Sequence, residues 1–202
     1  MEIKSQIRKA CLRSRDAIAP DLCKEKSHAI TKRIFQSKLF TECDAIAAYS
    51  AIRSEVNLQA IFPVAYQQKK ALFLPKVNGA LMEFYRVDEK TPLQEGSFHV
   101  MEPQQTADTL SLPEYLHQTP DGKLFQLLIL CPGVAFGTNG DRIGYGRGYY
   151  DRYLGALAGK GISFTTIGIC YEAQLLDSYH GEALDWKMDY IITESREEKC
   201  YE

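Results

Sequence analysis

Phe125 to Leu157 reads FQLLILCPGVAFGTNGDRIGYGRGYYDRYLGAL, and the rest of the chain is organised around it. The stretch begins with the apolar run Leu127-Leu128-Ile129-Leu130-Cys131, long enough for a buried strand. Pro132-Gly133 predicts the end of that strand, because proline cannot donate to a ladder and glycine permits a tight turn. An Asn139-Gly140 turn signal follows, then Asp141-Arg142 and the glycines Gly144, Gly146 and Gly148, alternating with Tyr145, Arg147 and Tyr149. Tyr150, Tyr153, Leu154 and Leu157 then recur at helical spacing. Strand, loop, glycine-rich segment and helix form an order that presents backbone N–H groups to phosphate oxygens. Arg142, Arg147 and Arg152 add permanent positive charge, and Asp151, at the start of the helix, is placed to hold a magnesium ion bridging phosphates.

The segment is neither a G-x-G-x-x-G fingerprint nor a Walker loop. Its third glycine is one residue early, no Gly-Lys-Ser/Thr follows, and the loop after the strand is too long. Read on spacing alone, it is equally a kinked surface loop with aromatics packed beneath. The longer string PGVAFGTNGDRIGYGRGYYDRYL, however, resembles the signature of the 5-formyltetrahydrofolate cyclo-ligase (methenyltetrahydrofolate synthetase) family, approximately P-G-x-x-F-x-x-x-G-x-R-[LI]-G-x-G-x-G-Y-Y-D. Pro132, Gly133, Phe136, Gly140, Arg142, Ile143, Gly144, Gly146, Gly148, Tyr149, Tyr150 and Asp151 meet every fixed position.

Composition sets the outer limits. A chain of 202 residues suits one domain, 1–202, with a sizeable core. Its hydrophobic content of 45% and charged content of 25% are ordinary for a globular protein. A formal net charge of -2 gives no electrostatic case for bulk nucleic-acid or membrane binding, so an anion site must be a local cluster of bases. The six cysteines are scattered, without a C-x-x-C pair or a histidine at metal spacing, which favours reduced thiols. No signal-peptide core or membrane-length apolar run is present, and the expectation is a cytoplasmic protein, a monomer or weak dimer.

Outward from the central stretch, Ile3, Ile7, Ala10, Cys11 and Ile18 mark an apolar stripe that predicts a helix ended by Pro20. Lys4 and Arg8 project from one face, four residues apart; Arg13 and Arg15 extend that patch or solvate the helix. Asp21 to Lys38 reads as a second helix and Ala45 to Tyr49 as the first core strand. Asn57 is placed to cap the next helix, and Pro63 to kink or shorten it. Ala71–Leu74 and Leu81–Tyr85 read as strands around a Lys76-Val77-Asn78-Gly79 turn. From Asp88 to Lys123 the periodicity fades into a surface meander or short lobe. Thr165–Cys170 and Tyr190–Thr193 complete a set of strands alternating with helices. That set argues α/β, and the family's three-layer α/β/α sandwich with a mostly parallel, mixed central sheet agrees. Ligands in such sheets bind beyond the carboxyl ends of strands, so the loops after Tyr49, Cys131 and Cys170 are expected to converge on one cleft.

The resemblance implies residue roles. Lys4 and Arg8 fall on an N-terminal K-x-x-x-R pair that contacts ATP. The segment Arg142, Ile143, Gly144, Tyr145, Gly146, Arg147, Gly148, Tyr149 and Tyr150 completes the ATP site, with Arg142, Arg147 and Asp151 catalytic. Ser50, Glu55, Tyr149 and Gln174 fall on the folate-binding positions. Tyr171 and Gln174 follow the pattern after Cys170, and Asp189 and Thr193-Glu194 set a register that makes Asp185 the second magnesium ligand beside Asp151. There the chain departs from the family, since Leu184 stands where a histidine is usual, and Asp177 is the fallback. His180 reads as a loop histidine in water. The implied activity is ATP-dependent conversion of 5-formyltetrahydrofolate to 5,10-methenyltetrahydrofolate with release of ADP and phosphate, with magnesium as cofactor. Two alternatives are a non-catalytic folate- or nucleotide-binding relative and, by fold analogy, an isomerase or CoA-transferase-like enzyme.

Overall fold

The computed structural model describes residues 2–106, 108–119, 125–177, 179–182 and 185–201, with Glu2 and Phe98 as backbone only. Three helices open the chain: α1 (Glu2–Asp16), α2 (Pro20–Gln36) and α3 (Lys38–Glu42). Strand β1 (Ala45–Ala47), helix α4 (Ile61–Gln67) and the strands β2 (Ala71–Asn78) and β3 (Leu81–Val87) follow. Next come β4 (Leu93–Glu95), a 3-10 turn (Ser97–His99), β5 (Met101–Pro103) and α5 (Leu112–His117). The central stretch supplies β6 (Leu127–Pro132), β7 (Ala135–Gly137), β8 (Arg142–Ile143) and α6 (Tyr149–Gly159). The chain closes with β9 (Thr165–Ile169), a 3-10 turn (Glu172–Gln174), β10 (Leu175–Leu176), β11 (Tyr190–Ile192) and β12 (Glu197–Lys199).

The main sheet has seven strands in the order β12-β11-β9-β6-β1-β2-β3. Strands β11, β9, β6, β1 and β2 are parallel neighbours, while β3 and β12 close the two edges antiparallel. This is the expected mostly parallel, mixed sheet. Its apolar strands bury both faces by strict alternation. Ile46, Leu72, Leu74, Leu128, Leu130 and Ile167 pack with Ile30, Ile34, Phe40 and Ile61 from α2, α3 and α4. Ala45, Ala47, Phe73, Leu127, Ile129 and Cys131 pack on the other side with Leu112 of α5 and Leu154 and Leu157 of α6. Each aliphatic side chain so buried contributes about 1.5–3 kcal/mol.

Strand order reverses between β1 and β6: the chain runs from β1 outward to β2 and β3, then returns to β6 on β1's other side. Such a switch point opens a crevice at the carboxyl ends of the two strands. A small sheet, β10-β7-β8, stands at that end of β6, and α1 lies on it. Cys11, Val134, Ala135, Ile143 and Tyr179 form their shared core, joined by Ile7 and Leu12. That small sheet occupies what read as one long loop after the strand.

Several local expectations change. Ile3 is 73% exposed and leaves the α1 stripe, whereas Arg15 is fully buried instead of solvating the helix. The Asn57 side chain accepts from the Gln59 amide (2.8 Å), making a turn ahead of α4 instead of capping it; α4 starts at Ile61 and carries Pro63 in its first turn, where proline is tolerated, so it is not kinked there. Lys76, Val77 and Asn78 belong to β2, so the hairpin turns at Gly79, whose φ of +59° suits glycine. The region after Asp88 holds the β4–β5 ribbon and α5, started by a Ser111–Glu114 capping box. All six cysteines are free. Among the described residues no helix is long and apolar enough to cross a membrane.

Candidate functional site

The crevice at the switch point is a cleft of about 1210 Å³. One wall is built from the central stretch. The Asn139-Gly140 turn joins β7 to β8, which delivers the buried Arg142 to the cleft floor. Gly144–Gly148 then arch over to α6. Gly146 (φ +93°) and Gly148 (φ +65°) hold left-handed backbone that other residues resist. A Cβ on Gly146 would also stand 3.5 Å from the Arg8 guanidinium, which lies beneath the arch. Arg8 Nε donates to the Gly144 carbonyl at 2.8 Å and so fastens α1 to the loop. The N-terminus of α6, with Asp151 in its first turn, faces the same space and adds its positive dipole end.

The charges on this wall come in pairs. Arg142 Nη2 donates to Asp151 Oδ1 at 2.9 Å, and Arg142 Nη1 donates to the Pro132 carbonyl at 3.3 Å. The Trp186 amide also donates to Asp151 Oδ1, at 3.2 Å. Lys4 Nζ donates to both Asp185 oxygens, at 2.9 and 2.6 Å, and Glu182 lies 3.5 Å from the same ammonium. Burial pushes the Asp185 carboxyl up, but the Lys4 hydrogen bond, the Glu182 amide and the charges of Lys4 and Arg142 outweigh it and hold Asp185 below the ordinary range. Burial likewise pulls Lys4 down, and its bond to Asp185 more than reverses this. Arg147 is exposed on the loop and lines the cleft.

The opposite wall is largely apolar. Tyr49, Ile52, Pro75, Val77, Met82 and Val100 line it, brought from β1, β2, β3 and the β4–β5 ribbon. Ser50 Oγ donates to the Met101 carbonyl at 3.0 Å and so ties the ribbon to the loop after β1. Two buried acids stand on this wall, Glu102 of the ribbon, which accepts from the Val77 and Ser97 amides, and Glu55, 7% exposed. The Glu55 Oε2 accepts from the Ile52 amide at 2.9 Å, whereas Oε1 is buried without a hydrogen-bond partner. Burial drives its carboxyl up, against the pull of the Ile52 amide, the Arg15 charge and the nearby Tyr145 hydroxyl. Tyr149 spans the two walls, its hydroxyl donating to the Gly79 carbonyl at 2.9 Å.

The cleft thus brings together Lys4, Arg8, Ser50, Glu55, Arg142, Gly144, Tyr145, Gly146, Arg147, Gly148, Tyr149, Tyr150, Asp151 and Asp185. Ile143 stands just outside, buried in the small core under α1. Gln174 does not reach the cleft. It is 1% exposed, its Nε2 donates to the Gly133 and Val134 carbonyls at 3.0 and 2.9 Å, and its Oε1 accepts from the Tyr171 amide at 3.0 Å. It therefore braces the turn after β6 from behind, and the loop just after Cys170 does not join the other two. That segment meets the cleft only later, through Glu182 and Asp185. Asp177 is exposed and acts on Arg196, away from the cleft. The Leu184 position lies outside the described residues. Arg152 donates to the Ala80 carbonyl at 2.9 Å and stacks on Tyr149, pinning the β2–β3 turn instead of facing phosphate. His180 is exposed, near Asn139. Missed in sequence were Met82, Pro75 and Val77, which strand order alone brings to the cleft, and Glu182.

Comparison with known proteins bears on this site. A family model described as the 5-formyltetrahydrofolate cyclo-ligase family matches residues 1–194. A Schizosaccharomyces pombe protein named "Probable 5-formyltetrahydrofolate cyclo-ligase" is 26% identical over 208 aligned positions, covering 94% of both chains. A Haemophilus influenzae 5-formyltetrahydrofolate cyclo-ligase is 30% identical over 69% of this chain and 70% of its own. The solved structure of Aquifex aeolicus 5,10-methenyltetrahydrofolate synthetase superposes with a TM-score of 0.78 at 30% identity, covering 99% of this chain and 94% of that one. A Mycoplasma pneumoniae synthetase at 23% identity shares the fold, with a TM-score of 0.67.

Proposed function

The chain belongs to the 5-formyltetrahydrofolate cyclo-ligase family, and on that premise we propose that it converts 5-formyltetrahydrofolate and ATP to 5,10-methenyltetrahydrofolate, ADP and phosphate. The observation that carries this reading is the pairing of walls in one cleft. A cationic glycine arch suited to phosphates faces an apolar surface with a buried carboxylate acceptor, suited to a flat heterocycle bearing N–H donors. We take the whole chain, 1–202, as one domain acting as a cytoplasmic monomer or weak dimer.

A formamide carbonyl is a poor electrophile, and its oxygen is a poor leaving group. In this reading the formyl oxygen attacks the γ-phosphorus of ATP and the bond to the β-phosphate oxygen breaks, releasing ADP. N10 then attacks the activated carbon, loses its proton, and phosphate departs with the former formyl oxygen as the ring closes. Such transfer needs positioning and charge neutralisation more than covalent catalysis. The Gly144–Tyr149 amides cradle phosphate oxygens, and Lys4, Arg8, Arg142 and Arg147 neutralise them. Glu55 and Ser50 orient the folate opposite.

Among the described residues no three His, Cys, Asp or Glu side chains gather as a self-sufficient metal site. Two cleft carboxylates fit magnesium instead, which binds through one or two carboxylates plus substrate phosphates. Asp151 and Asp185 would hold it, and it would supply neutralisation of the charge shared between phosphates.

The test is release of phosphate from ATP, followed with the absorbance of the methenyl product. Release strictly dependent on 5-formyltetrahydrofolate and matched by product is expected. Folate binding without phosphate release would instead mark a non-catalytic relative and overturn the proposal.

A further inference from the structure

Arg15 is among the largest fully buried side chains of the protein, and it does not line the cleft. Its position is not incidental to α1: at 3.6 residues per turn, Lys4, Arg8 and Arg15 fall within about 40° of one another, while Arg13 projects opposite. The first two meet the glycine arch or the cleft directly. The third passes beneath the cleft floor. Arg15 Nη2 donates to the Tyr145 hydroxyl at 2.8 Å, and Arg15 Nε donates to Ser54 Oγ at 3.0 Å. Tyr145 belongs to the glycine arch and Ser54 adjoins Glu55, so one guanidinium joins the two walls. Arg15 Nη1 is buried without a hydrogen-bond partner, as is Glu55 Oε1.

We propose that Arg15 is a positioning residue for the reaction: from inside the protein it holds the glycine arch and the Ser54–Glu55 loop as one unit, so that Glu55 presents its unpartnered oxygen to N–H donors. The functional half rests on the reading that Glu55 meets the folate.

A guanidinium cannot shed its proton to escape burial, so its charge must be compensated nearby. Asp16, 3.9 Å from Nε and half exposed, supplies part of that compensation and accepts from the Ser54 hydroxyl. Glu55 is a second acid close enough to feel the Arg15 charge. The groups facing Glu55 are Arg15 from α1, Tyr145 from the arch, Tyr49 after β1, Tyr150 of α6, and Tyr171 after β9, whose hydroxyl donates to the Glu55 carbonyl at 3.5 Å. The tyrosines are pushed up by burial, Tyr145 to about 12, and stay neutral through the working range. Arg15 is therefore the cation that acts on this carboxylate. A carboxyl already raised by burial rises further without it, and a protonated Glu55 cannot accept a pair of N–H groups.

The experiment compares Arg15→Met, Arg15→Lys and Tyr145→Phe with the wild-type chain. The Glu55 carboxyl carbon is titrated by NMR without substrate, and KM for each substrate, the pH profile and thermal unfolding are measured alongside. Arg15→Met is expected to move the Glu55 midpoint to higher pH and to raise the KM for 5-formyltetrahydrofolate about tenfold or more. The acid limb of kcat/KM should move the same way. Arg15→Lys should bring the midpoint most of the way back. If Arg15→Met does not fold, Tyr145→Phe, which removes the acceptor of Arg15 Nη2, decides: a Glu55 midpoint and KM values identical to wild type in that variant overturn the proposal. So does a folded Arg15→Met in which only the melting temperature changes. A midpoint that moves in a protein without folate-dependent turnover upholds the placement of Glu55 by Arg15 and sinks the functional reading separately.

Discussion

The two walls of the cleft solve opposite electrostatic problems. On the wall of the glycine arch each carboxylate already has a cation, Asp185 with Lys4 at 2.6 Å and Asp151 with Arg142 at 2.9 Å. On the apolar wall Glu55 has one oxygen held by a backbone amide and the other without a partner. Under the proposed function the first wall would exchange partners on binding, its cations turning to phosphate and its carboxylates to metal. The second, with its unpartnered Glu55 oxygen, would take a donor of fixed shape without such an exchange. Mutations on the first should therefore change how charge is balanced during turnover, and those on the second how tightly one substrate is held.

The largest expected effect tests the pair at the start of α6. Asp151→Asn should cut turnover by about a hundredfold or more, since several kcal/mol of charge stabilisation at phosphate depend on the metal it would hold. The fold should survive, because Arg142 keeps its bond to the Pro132 carbonyl and packs against the Tyr150 ring. Turnover against magnesium concentration, with thermal unfolding as control, checks both halves. Undiminished turnover would place the metal elsewhere and break the symmetry between the two carboxylate–cation pairs.

A second test sharpens the comparison between walls. Lys4→Ala and Arg8→Ala should each raise the apparent ATP constant, at about 2–5 kcal/mol for losing a charged phosphate partner. The folate constant should move much less. Arg8→Ala also unfastens the Gly144 carbonyl, and Lys4→Ala leaves Asp185 without its cation, so the two variants should differ in magnesium dependence. Equal effects on both substrates would mean that the walls are not separable.

The same division governs how far the site could be read without coordinates. The phosphate wall is local: Pro132 to Asp151 is one unbroken segment whose glycines, arginines and helix spacing carry their geometry with them. Helix periodicity puts Lys4 and Arg8 on one face, which by itself reads as a solvated basic patch; the family resemblance joined them to this wall. The apolar wall is assembled by sheet order, which draws Pro75, Val77 and Met82 beside Tyr49 from segments far apart in sequence. Gln174 had the right residue type but is turned inward, because two buried carbonyls of the turn after β6 needed donors. Arg15 was legible in principle, on the same helix face as Arg8, but a surface patch is the ordinary fate of such a residue, and burial overrode it. The fold class followed from apolar runs alternating with helical spacing. The small sheet did not, since two- and three-residue strands leave no period to detect.

The smallest expected effect decides the second carboxylate. Asp185 faces the cleft, held by Lys4 and by the Glu182 amide at 2.8 Å, whereas Asp177 is exposed beside the charge of Arg196. Asp185→Asn should weaken the magnesium response and raise the ATP constant. Its effect should be smaller than that of Asp151→Asn, because Glu182 also lies by Lys4 and can take up part of that charge. Asp177→Asn removes a solvated charge with no place in the cleft, and surface changes of that kind stay within about 0.5 kcal/mol. Its turnover, magnesium dependence and melting temperature should match wild type. A crippled Asp177→Asn beside an unaffected Asp185→Asn would mean that the segment after β10 meets the nucleotide in another register, and that the Lys4–Asp185 pair is a structural clasp between α1 and that segment instead of half of a metal site.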